Sequence, residues 1–171
     1  MQRPVPPLVK TVLRFIQLLD ILPKNLFTMK ILSFFTSSKA YQDLSALIAR
    51  IFTGYLMLSL HGWGKITAGT DRWKGLGSGL SDLIGLDFLS IPLGFMASFA
   101  ESIGAVLIII GLTTRPAAFL LAFTMFVAVC KKLPGGIKGA ELPALFLCLS
   151  LVIMLSGAGK YSFDYFLKRK K

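Results

Sequence analysis

Apolar residues along this chain follow two different patterns. From Leu8 to Leu22 the polar positions are Lys10, Arg14, Gln17 and Asp20, a spacing of about 3.6 that leaves one broad apolar face. That pattern predicts an amphipathic helix lying in a membrane interface, ended by Pro23. Leu26 to Phe35 is apolar but short and contains Lys30, which predicts a second interfacial piece. Beyond residue 40 the polar positions thin out into four apolar runs, at about 44–63, 91–112, 116–130 and 140–156. Roughly 20 apolar residues cross a bilayer, so each run is read as a span, the last two near the lower limit of length.

The connections set the topology. Thr113-Thr114-Arg115 leaves room only for a tight antiparallel turn, and Pro116 suits the first turn of the helix that follows. The stretch from Lys65 to Ser90 is expected to be a loop, its glycines between Gly69 and Gly85 marking turns. A further loop is expected from Lys131 to Gly139, around Pro134-Gly135-Gly136. The fold expected is all-α: an integral membrane, antiparallel four-helix bundle with an N-terminal amphipathic interfacial helix. Residues 1–40 form the interfacial segment, 41–166 the transmembrane domain, and 167–171 a basic tail.

Composition supports this reading: 54% of residues are hydrophobic and only 16% charged, with mean hydropathy +0.71. A net charge of +11 would suggest nucleic acid in a soluble protein. Here the cations flank the runs instead, at Arg3, Lys10, Arg14, Lys24, Lys30, Lys39 and Lys168 to Lys171. No nucleic-acid reader motif accompanies them. Such flanks are topology signals and attract anionic lipid. With an even number of spans both termini share a side. The Lys and Arg content of that side, which includes the Arg115 turn, places it in the cytoplasm of a bacterial-type inner (plasma) membrane. No secretory signal peptide is apparent, because charges recur throughout the first 40 residues. Trp63 and Trp73 are read as interfacial anchors.

Candidate chemistry lies where charge interrupts the runs. Arg50, Gly54, Met57, His61 and Lys65 recur at intervals of four, three, four and four, which places them on one helix face. Ala97, Glu101, Gly104, Ile108 and Gly111 share a face of the second run. An ion pair between Arg50 and Glu101 inside the bundle is therefore expected, as a lock on helix register or as part of a polar pocket. His61, Lys65, Lys131, Lys132 and Glu141 gather near the opposite membrane face. The polar pocket expected is Arg50, His61, Lys65, Glu101 and Glu141, with Glu101 and His61 the candidates for proton transfer. One histidine, scattered acids and the separated Cys130 and Cys148 lack the spacing of a metal site or a redox cysteine pair.

These residues fall into a linked order from about Leu44 to Asp164 that resembles the DoxX family of small four-helix membrane proteins. Arg50 precedes His61-Gly62-Trp63-Gly64-Lys65, similar to H-G-x-x-K. Ala100-Glu101-Ser102-Ile103-Gly104 and Gly111-Leu112-Thr113-Thr114-Arg115 are similar to A-E-x-x-G and G-L-x-T-R. Glu141 opens the last span, and Gly157 to Asp164 resembles G-x-G-x-x-S-x-D. The family often carries a histidine after the third span, where this chain has Lys131-Lys132. The resemblance implies a redox-linked setting: thiosulfate:quinone oxidoreduction, quinone or catechol tolerance, or oxidative-stress complexes with soluble partners. On that basis the expected role is an accessory membrane subunit with a redox partner protein and a bound quinone, no other cofactor being evident. The alternatives are a non-catalytic scaffold, which could be a homo-oligomer, and a small-molecule or proton carrier.

Overall fold

The computed structural model describes Arg14 and residues 38–170. The helix expected at residues 8–22 and the piece at 26–35 otherwise lie outside the described residues. The chain separates into two units at Ser38–Lys39, and everything below concerns the second.

Four helices are long and apolar enough to cross a membrane: Tyr41–Ile66, Asp87–Ile110, Thr114–Gly135 and Ile137–Ser156. The first span consists of α1 (Ser38–Met57), a π-helical turn (Leu58–Gly62) and α2 (Trp63–Ile66). A separate helix, α3 (Thr70–Ile84), follows it. The second span enters through a 3₁₀ turn (Asp87–Leu89) and continues as α4 (Ser90–Phe99), a second π-helical turn (Ala100–Gly104) and α5 (Ala105–Ile110). The third is α6 (Thr114–Lys132), extended by a 3₁₀ turn, and the fourth is α7 (Ile137–Ser156). The described chain closes with α8 (Phe163–Arg169), so most of the basic tail expected from 167 onward is the end of a helix. No strand occurs among the described residues.

Helix α3 replaces the expected glycine-rich loop. Gly85, at φ 68°, does end it as a turn glycine, but Gly75, Gly77 and Gly79 lie within the helix. α3 packs back along α4 as an antiparallel hairpin. A side chain on Gly77 would collide with the Ser90 carbonyl, and one on Gly94 with the backbone of Trp73. The glycines there serve close helix approach, at the expense of helix propensity.

The core joins Met57, Ala105, Ile108, Ala118, Leu121, Phe146 and Ile153, drawn from every span. Many of its residues are small, which lets helices approach where lipid offers no hydrophobic drive for association. Large apolar side chains such as Phe52, Phe119 and Leu155 point outward, as lipid-facing positions should. Buried serines return their hydroxyls to the preceding turn: Ser98 Oγ donates to Gly94 O (2.9 Å), Ser102 Oγ to Ser98 O (2.6 Å) and Ser150 Oγ to Phe146 O (2.7 Å). No polar hydrogen of these side chains is then left bare to the apolar interior.

Candidate functional site

The two π-helical turns pack against each other, and the candidate site is built where they meet. Each widens its helix by one residue in the turn, a feature frequent at functional sites. Gly62 on the first turn lies against the Glu101 carbonyl on the second, where any side chain would collide. This contact brings Lys65, one turn beyond Gly62, within reach of the Glu101 carboxylate. Lys65 Nζ donates to Glu101 Oε2 and closes an ion pair. The Glu101 side chain is only 4% exposed, and that of Lys65 21%.

The expected Arg50–Glu101 pair is not formed. Antiparallel register sets Arg50 opposite Gly111, ten residues and about 15 Å along the helix from Glu101, farther than a guanidinium can reach. Arg50 is fully buried and Nη2 donates to Tyr161 O at 2.7 Å. Its Nε and Nη1 find no acceptor among the described residues. The guanidinium lies at the C-terminal end of α5, where exposed carbonyls favour a cation, and Asp164 is the carboxylate whose charge acts on it. Asp164 in turn accepts the Thr113 and Thr114 N–H groups at 2.8 and 2.9 Å. Burial alone would raise the Asp164 carboxyl. The Thr114 and Thr113 bonds and the Lys168 charge outweigh it and hold the group below its ordinary value.

Above the Lys65–Glu101 pair opens a cleft of about 610 Å³. His61, Lys65 and Glu101 line it, together with Arg72, Lys131 and Lys132. Its walls include Met57, Leu93, Met96, Phe123, Met125 and Phe146. Met96 and Phe123 are both exposed and belong to spans long and apolar enough to cross a membrane. Of the expected pocket residues, His61, Lys65 and Glu101 come together, Arg50 belongs to the other end of the bundle, and Glu141 is exposed outside the lining.

Several supporting contacts left little trace in the sequence. His61 meets Phe146 of α7 edge-on, ring centroids 5.9 Å apart. Pro143 interrupts the hydrogen bonding of α7 one turn earlier and also lines the cleft. Trp73, expected as an anchor, donates Nε1–H to Lys65 O at 3.0 Å and packs edge-on against Phe95 at 5.0 Å. It holds the carbonyl of the residue that pairs with Glu101. Trp63 is 66% exposed. Lys131 Nζ donates to Ser78 Oγ at 3.0 Å and so ties α6 to α3 across one side of the cleft. Gly62 could have been found, since it occupies the second position of H-G-x-x-K. Phe146 carried no signal.

Four membrane-crossing helices with a charged pair inside define a multi-pass membrane protein. Residues 45–131 match the DoxX family, and the chain belongs to that family. It is also similar to an uncharacterized protein of Haemophilus influenzae, 31% identical over 125 residues, which covers 67% of this chain and 84% of the relative. No solved structure matches the chain.

Proposed function

We propose that the cleft binds a quinone-class ligand and that the protein serves as an accessory membrane subunit of a quinone-linked redox or oxidative-stress system. The observation that carries this reading is a Lys–Glu pair with a buried carboxylate in the lining of a mostly apolar cleft. A quinone offers an apolar ring and tail to the walls and carbonyl oxygens to Lys65 and His61. Glu101 then exchanges the proton that accompanies reduction through Lys65, its hydrogen-bond partner. The electrons come from a redox partner protein. A thiol-linked version is less favoured, because neither Cys130 nor Cys148 lines the cleft. In this reading both termini face the cytoplasm of the inner membrane.

Titrating the purified chain with decyl-tailed benzoquinone and following tryptophan quenching tests the proposal, since Trp73 holds the Lys65 carbonyl. Wild type should show saturable quenching, and His61→Leu a Kd weakened about tenfold, the loss of one of the two hydrogen bonds to the quinone oxygens. Quenching that never saturates, or an identical Kd in the variant, sinks it.

One observation favours a second reading: the same ion pair fastens the first span to the second, as a scaffold would need. Glu101→Gln protein that unfolds readily while its ligand binding stays intact would support that alternative.

A further inference from the structure

Two of the chain's sequence motifs play no part in the cleft. Gly111 to Arg115 and Gly157 to Asp164 meet at the opposite end of the bundle, around the buried Arg50. There they form a crevice of about 420 Å³ lined by Asp43, Arg115, Gly157, Lys160, Asp164 and Lys168, among others.

Both carboxylates in this crevice are already engaged. Asp43 accepts the Lys160 N–H at 2.9 Å and pairs with its Nζ at 3.1 Å, and Asp164 takes the two threonine N–H groups. Arg115 and Lys168 close no ion pair among the described residues, although the Lys168 charge acts on Asp164 one turn away. The Arg115 guanidinium lies over Gly157, within about 3.5 Å of where a side chain would start. Ala158 and Gly159 also line the crevice, and their backbone N–H groups donate to nothing among the described residues. Two cations outside any ion pair, and residues with N–H groups to spare, in the lining of one cavity call for an anion.

The surroundings indicate where the anion comes from. The crevice follows directly on the end of the fourth span at Ser156, which puts it at the membrane boundary. Tyr161, Phe163, Tyr165 and Phe166 are all exposed beside it. Aromatic rings in that position mark the headgroup level of a bilayer, and α8 carries Lys168 and Arg169 in its last turn.

We propose that this crevice holds the phosphate-bearing headgroup of an anionic phospholipid, with Arg115 and Lys168 as its cations and the Ala158–Gly159 backbone as additional donors. The exposed rings of α8 pack against the acyl chains of the same lipid.

Native mass spectrometry of the full chain, extracted in mild detergent and exchanged with phosphatidylglycerol or phosphatidylcholine, tests this directly. Wild type should retain phosphatidylglycerol on the order of tenfold better, and Arg115→Ala with Lys168→Ala should abolish that preference. The control Lys74→Ala with Lys138→Ala, which removes equal charge outside the crevice, should keep it. Should the double alanine variant not fold, Arg115→Gln alone should still cut the preference severalfold. Equal retention of both lipids by wild type overturns the proposal, as does loss of preference in the control. Displacement of the lipid by millimolar inorganic phosphate would show a phosphate site indifferent to lipid and overturn it too.

Discussion

At the scale of single residues, the position of each charge along its helix decides its partner. The sequence placed Arg50 and Glu101 correctly on inward faces but could not fix how the two antiparallel spans align. Arg50 fell opposite Gly111, and Lys65 took the carboxylate. Because the Glu101 carboxylate is almost wholly buried and Lys65 partly exposed, removing the two partners is not equivalent. Lys65→Met leaves a bare carboxylate in an apolar setting and should cost roughly 3–5 kcal/mol. Adding Glu101→Gln to that variant removes the uncompensated charge and should recover most of the loss. Thermal unfolding of wild type, both single variants and the double variant in one detergent closes the cycle. A double variant as unstable as Lys65→Met alone would show that the charge is not the cause.

At the scale of elements, the spans were legible because about 20 consecutive apolar residues have few alternatives to crossing a bilayer. α3 was not, because a helix holding Gly75, Gly77 and Gly79 contradicts local propensity. Its formation depends on tertiary contact with α4, where the Ser90 carbonyl and Gly94 leave no room for a side chain at position 77. The π-helical turns were hidden for a similar reason, since one extra residue in a turn leaves the apolar pattern almost unchanged. Gly77→Ala should therefore push α3 off α4 and cost roughly 1–3 kcal/mol, the usual penalty of overpacking. On helix propensity alone the same change would stabilise by up to about 1 kcal/mol, so the sign of the measured change decides between the two effects. Gly75→Ala is the matched comparison, because nothing lies near a side chain there and only the propensity gain should appear.

At the scale of the whole molecule, the sequence motifs divide between the two ends of the bundle. H-G-x-x-K and A-E-x-x-G form the cleft, while G-L-x-T-R and the closing glycine motif gather round Arg50. The order of these motifs pointed to the family, but their sorting by depth emerges only once the helices are aligned. Arg50 and Lys65 lie fifteen residues apart on one span, roughly 22 Å along its axis, so the two ends should be energetically independent. Asp164 provides the handle at the lower-volume end. Its carboxyl is held below the ordinary value, so its contribution is complete above about pH 3.9 and fades as pH falls through the lower folded-state value. Asp164→Asn keeps one acceptor for the Thr113 and Thr114 N–H groups but loses the charge, and should cost roughly 1–2 kcal/mol at neutral pH. The gap in stability between wild type and this variant should stay constant from pH 7 to about pH 4 and narrow in stronger acid. Combined with Lys65→Met, the two losses should add to within about 0.5 kcal/mol, as they do for separated sites. A gap that widens on acidification would contradict the assignment of Asp164, and strong non-additivity would mean that the two ends of the bundle are coupled.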